Sequence, residues 1–154
     1  MKAVAVVNRQ RLRPIVTPLL RRVARALLDD VLRWPDYDLS IVLLDNVAMA
    51  RLNEQFLRHH GSTDVITFNY AENAGEIRSE IFISINDACD HAAHYRRPWP
   101  EEVVRYMVHG ALHLAGHDDQ RPAARRAMKR EENRLLKALS RRFDLRKLER
   151  RKNV

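Results

Sequence analysis

Cysteine is almost missing from this chain. Cys89 is the single one in 154 residues, so no disulfide can close within it, and that scarcity favours a reducing compartment. Long apolar runs are missing too, and no stretch approaches the ~20 residues of a membrane span. The apolar run Ala3–Val7 is followed by Arg9, Arg11 and Arg13 and is too short for the core of a secretory signal. Cytoplasm is the expected compartment, with no membrane partner. Internal repeats and an interdomain linker are also absent, and this length suits one domain. Acidic residues run short in one place. Residues 121–154 hold 14 Lys/Arg against 4 Asp/Glu, while the first 120 residues hold 14 against 16. The whole basic excess behind the net charge of +8 therefore sits in the last fifth of the chain. Such a segment reads as an anchor for polyanions, with nucleic acid ahead of membrane.

Hydrophobic spacing gives the order of elements. Ala3–Asn8 reads as a first strand. Thr17-Pro18 is a helix-start signal, a capping hydroxyl followed by proline, and Leu20, Val23, Ala24, Leu27 and Val31 recur at helical spacing. Leu39–Leu44 suits a central strand. Asp45 or Asn46 can cap a helix with Met49, Leu52 and Phe56 on its inner face. Residues 58–62 read as a loop, whose His59 and His60 are surface residues on this reading. Thr63–Tyr70 and Ser79–Ile85 are strand-like, with Glu80 and Ser84 alternating with isoleucines. Asn86-Asp87 can cap a short helix to about Tyr95, with His91 and His94 on an exposed face. A longer helix starts at Pro98–Glu102, and a last one follows Arg121-Pro122 with Ala124, Ala127, Met128, Leu135, Ala138 and Leu139 inward. A main domain over 1–139 and a basic tail over 140–154 follow, with order in the tail doubtful. Three or four strands with helices packed mostly on one side fit an α+β or α/β domain, with a candidate metal site at the end of the central helix.

That site is carried by residues 106–119. His109 and His113 are four apart, which on a helix stacks two imidazoles on one face about 6 Å apart. Gly116 can end the helix in the left-handed conformation a C-cap needs. The chain then turns back and brings His117, Asp118 and Asp119 under the two histidines. Three ligands around one ion, with a fourth position open, is the catalytic arrangement for zinc. From Tyr106 to Gly116 the only ionisable side chains besides Tyr106 are the histidines, so the helix is apolar nearly all round and the imidazoles need partners. Gly110 stands where a His-Glu-x-x-His peptidase carries its glutamate, so no general base comes from this helix. It must come from elsewhere, or the metal activates the water, or the 2′-OH of RNA attacks.

The block His109-Gly110-Ala111-Leu112-His113-Leu114-Ala115-Gly116-His117-Asp118-Asp119 resembles the signature His-Gly-x-Leu-His-x-x-Gly-Tyr-Asp-His of the YbeY family, metal-dependent endoribonucleases also called rRNA maturation factors. Thr63-Asp64-Val65-Ile66-Thr67-Phe68 is similar to the family's Thr-Asp-Val-Leu-Ser-Phe, and Glu80-Ile81-Phe82-Ile83-Ser84 to its Gly-Asp-Ile-x-Ile-Ser. The blocks keep the family's order over roughly residues 40–120. The resemblance implies an α+β fold in which helices pack on a small mixed sheet of about four strands, and a zinc ion at the end of the central helix. It also implies single-strand-specific cleavage of RNA, processing of the 3′ end of 16S rRNA and a part in ribosome quality control, with the small ribosomal subunit as partner.

Two departures matter. The family's third histidine is Asp119 here, and its tyrosine is His117. A carboxylate ligand lowers the net charge of the site and makes a weaker Lewis acid. His-His-carboxylate is also the facial set of non-haem iron, so zinc is the first choice of metal and not the only one. His117 is the alternative third ligand. The family also carries an arginine six residues before its Thr-Asp pair, thought to face the substrate. Counting back from Thr63 reaches Leu57, and the arginine here is Arg58. A non-catalytic ribosome-assembly factor with a structural metal is the rival reading, and it would close the open position with a fourth ligand.

Overall fold

Alternation along the strands sets two faces. Tyr37, Leu39, Ile41 and Leu43 of strand β2 (Tyr37–Leu44) point to one side and are all 1% exposed or less, while Val42 and Leu44 point to the other. The protein is described from a computed structural model over residues 1–57, 64–73, 76–117 and 119–151. Strands β1 (Lys2–Asn8), β2, β3 (Val65–Asn69) and β4 (Arg78–Ser84) form one sheet in the order β1-β2-β4-β3. The β1–β2 and β2–β4 pairs are parallel and β3–β4 is antiparallel, so the sheet is mixed as expected.

Helices α1 (Thr17–Ala26) and α4 (Trp99–Leu114) cover the first face, and α5 (Pro122–Arg142) packs on α4. There Leu20 and Val23 of α1, Val104, Met107 and Val108 of α4, and Leu135 and Leu139 of α5 join the strand residues in one core. Each such side chain contributes roughly 1.5–3 kcal/mol by leaving water. The second face carries a smaller cluster, in which Met49 of α2 (Asn46–Leu52) packs on Val42, Leu44, Ile66 and Phe82. Helix α3 (Ile85–Tyr95) runs from β4 towards α4 and packs beside it.

Several expected boundaries shift. Thr17 already lies inside α1, whose cap residue is Val16 without a side-chain bond. Asp45 caps α2 by accepting from Ala48 N at 2.8 Å, and α3 is capped by Ser84 rather than Asn86 or Asp87. Phe56 does not share the inner face of Met49. A π-helical turn over Asn53–Leu57 follows α2 and breaks the 3.6-residue period, leaving Phe56 58% exposed with its ring against Phe68.

The largest difference concerns the tail. Order does not fade at Ser140: α5 runs on to Arg142, and a 3₁₀ turn over Leu145–Leu148 buries both leucines in the main core. Glu149 bridges to Ile15, and Arg150 N donates to Pro14 O at 3.0 Å. Two leucines three apart meet on one side of such a turn, and that apolar pair outweighs the surrounding charge. The basic side chains between them, Arg146 and Lys147, face solvent.

Candidate metal centre

Helix α4 carries the centre because it lies directly on the sheet. Pro100 and the acidic Glu101 and Glu102 occupy its first turn, where a missing N–H and negative charge are favourable. At Gly110 the helix meets β4 so closely that an added Cβ would sit 2.8 Å from Ile81 Cγ2. The absence of a glutamate there thus has a packing cause: the position points into the sheet, where an added side chain would press on Ile81. His109 and His113 project beside this contact, 27% and 29% exposed, so each imidazole is part buried and part open.

The end of the helix then sets the third group. Gly116 has φ +99°, Gly116 N bonds His113 O and His117 N bonds Leu112 O, both at 3.0 Å. This is the paired bonding of a Schellman cap, with glycine at the left-handed position. The reversed chain brings Asp119 Oδ2 to 3.4 Å from His113 Nε2 and 3.6 Å from His109 Nε2. The two Nε2 atoms are 3.1 Å apart. A tetrahedral ion with bonds of ~2.0–2.1 Å spaces its ligand atoms ~3.3–3.4 Å apart. The three groups therefore fit one such ion, and His109, His113 and Asp119 could hold a metal. His117 is exposed and is not one of this group. Arg58, His59, His60 and Asp118 lie outside the described residues.

Helix α5 supplies what sequence reading missed. Glu132 is 6% exposed, and its Oε2 accepts from His109 Nδ1 at 2.8 Å. That bond fixes the ring and its tautomer, leaving Nε2 as the ligand atom, the role outer carboxylates play for metal-bound histidines. Burial alone would lower the His109 pKa, but the bond and charge of Glu132, with Asp64 and Asp119 near, hold it above its ordinary value. Burial likewise opposes ionisation of Glu132, yet His109, Lys129 and Arg105 keep its carboxyl below the usual range. Arg105 Nη1 reaches Glu132 Oε1 at 3.4 Å and Asn133 Oδ1 at 2.8 Å. Arg125 Nε donates to Asp119 O at 2.9 Å and so ties the ligand loop to α5. A signal for Glu132 was present: with Met128, Leu135 and Leu139 it falls on the buried stripe of α5, where a carboxylate needs a partner.

A cavity of about 280 Å³ opens from the group between α3, α4 and α5, with Asp64, His91 and Tyr106 in its wall. His109 and Asp119 both line it, and open space beside candidate ligand atoms is what a substrate-binding metal site has and a closed structural site lacks.

Comparison with known proteins agrees with this geometry. The sequence model of endoribonuclease YbeY matches residues 5–140. A Salinibacter ruber protein named endoribonuclease YbeY is 35% identical over 109 residues, 66% of this chain and 69% of its own. One of the same name from Geobacter metallireducens is 33% identical over 135 residues, 83% and 88% of the two chains. The fold is similar to the solution structure of a Thermotoga maritima protein, with TM-score 0.63 at 19% identity and 89% of each chain covered. The sheet, the histidine pair on α4 and the matched span together place this chain in the YbeY endoribonuclease family.

Proposed function

We propose that this chain is a metal-dependent endoribonuclease that cuts single-stranded RNA and acts in maturation of the 16S rRNA 3′ end and ribosome quality control, in the cytoplasm. The observation that carries the reading is the triangle of ligand atoms from His109, His113 and Asp119, spaced 3.1–3.6 Å apart. Zinc is the metal we assign. When bound, it supplies a Lewis acid for charge developing on the phosphate and for activation of water. The chain's own residues do the rest. Glu132 holds His109 in one tautomer, Arg125 holds the loop of Asp119, and Arg58, one residue past the family's arginine position, is assigned to the substrate phosphate.

The rRNA assignment draws further support from charge. Arg146, Lys147, Arg150 and Arg151 are exposed and suit a phosphate backbone of the small ribosomal subunit. No helix among the described residues is long and apolar enough to cross a membrane. Removing residues 140–154 would take Leu145 and Leu148 out of the core, so the tail's role is tested by replacing Arg146, Lys147 and Arg150 with serine. Binding to RNA should weaken and its salt slope should flatten by up to ~0.7 per lost contact for a single strand.

The deciding experiment joins metal analysis to cleavage of a single-stranded RNA, comparing wild type with His113→Ala. Wild type should carry metal and cut, and the variant should do neither. Metal with no cleavage in the wild type would favour a ribosome-assembly factor with a structural ion.

A further inference from the structure

The wall of the cavity away from the metal group is aromatic. His91 and Tyr95 stand one turn apart on α3, and both line the cavity that also contains His109 and Asp119. Their rings meet edge to face at 5.6 Å, and His91 lies 6.1 Å from the Tyr106 ring. Tyr95 is 56% exposed, an unusual setting for so large a ring. It is held there by local structure. Helix α3 ends with Arg96 in the left-handed conformation, φ 54°, which turns the chain so that the Arg97 guanidinium lies 5.4 Å from the centre of the Tyr95 ring. A guanidinium against a phenol ring is a favourable contact and keeps Tyr95 in the cavity wall.

The opposite wall is cationic. Arg125 and Lys129 project from α5 into the same cavity. Arg125 spends its bonds on the carbonyls of Asp119 and Gln120, and no ion pair among the described residues includes it. Lys129 is only 4.0 Å from Glu132 Oε1 and is 58% exposed. One wall thus offers the exposed ring of Tyr95, with Arg97 over one of its faces, the other offers positive charge not fully neutralised, and a group fit to hold a metal lies between them. Unpaired bases of single-stranded RNA are held by stacking on aromatic rings, with cations along the backbone.

We propose that this cavity is a nucleotide subsite: one unpaired base of the RNA stacks on the Tyr95 ring with His91 at its edge, and Arg125 and Lys129 face the adjoining phosphate. The inference rests on the endoribonuclease reading and deepens it. A base still paired in a duplex cannot enter, so the subsite gives the enzyme a physical reason to prefer single strands.

The test is an equilibrium cycle with the full, metal-loaded chain and a fluorescein-labelled 2′-O-methyl RNA of about ten nucleotides, within usual single-strand site sizes. A single abasic position is moved along the strand. At one position it should weaken wild-type binding about 5- to 150-fold, the range for loss of one stacked base. Tyr95→Ala should weaken binding to the intact strand by a similar factor, and the abasic position should then cost the variant almost nothing more. Tyr95→Phe keeps the ring and should bind as wild type does. Tyr95 is largely exposed, so Tyr95→Ala should fold, and its circular dichroism should match wild type. If the penalties of Tyr95→Ala and the abasic position simply multiply, or no abasic position stands out, the subsite is refuted while the endoribonuclease reading stands. If wild type neither binds nor cuts RNA, both fall together.

Discussion

Helices α4 and α5 build the candidate metal centre from opposite compositions. Helix α4 is apolar over its central and C-terminal turns, so His109 and His113 stand out against valine, alanine and leucine. Helix α5 is crowded with arginine, lysine and glutamate, and the one carboxylate that matters most is hidden among its like. Glu131 and Glu132 are neighbours of the same type. Glu131 pairs with Arg134 on the surface, while Glu132 turns inward and holds His109. A polar residue is conspicuous where its surroundings are apolar. In a charged helix only its place on the buried stripe marks it.

The comparison can be broken by substitution. His109→Ala removes a ligand atom and should abolish stoichiometric zinc binding and with it RNA cleavage, read by elemental analysis and a cleavage assay. Glu132→Gln keeps shape and an acceptor but not the charge. It should weaken zinc affinity about tenfold, the lower end of the 10–100-fold typical for such supporting residues, measured by competition with a chromogenic chelator. Unchanged affinity would mean that α5 contributes packing alone. Gly110→Ala tests the contact of α4 with β4. The added Cβ meets a β-branched side chain at 2.8 Å, and the cost should be about 1–3 kcal/mol, seen as a lower urea midpoint with an unchanged slope. Glu131→Gln is the sharpest contrast to Glu132: an exposed pair contributes ~0–1 kcal/mol, so stability should shift little and zinc affinity not at all.

These contrasts show why part of the molecule was legible in the sequence. Strands β2 and β4 could be read because Leu39–Leu44 and Ser79–Ile85 alternate or run apolar at strand length, whereas the mixed pairing of the sheet was carried by the family resemblance. The helix of His109 and His113 could be read because its stripe has a single period, and Gly116 marks its end through a backbone conformation that side chains resist. Glu132 was not legible because its importance depends on a contact between two helices, with a residue 23 positions away in sequence. Phe56 was misplaced because a π-helical turn leaves no mark in spacing. The tail reads as loose because charge dominates the count, although Leu145 and Leu148, with Phe143 beside them, anchor it to the core. Arg125 reads as one more surface arginine until the loop of Asp119 folds against it.

The central claim is that Asp119 completes the ligand set with His109 and His113. The most direct measurement is a zinc-binding isotherm for Asp119→Ala beside one for His117→Ala, both on the full chain. The expected result is loss of tight binding in Asp119→Ala and wild-type binding in His117→Ala, as the 3.4 and 3.6 Å approaches of Asp119 require. Tight binding that survives Asp119→Ala and disappears in His117→Ala would contradict the account.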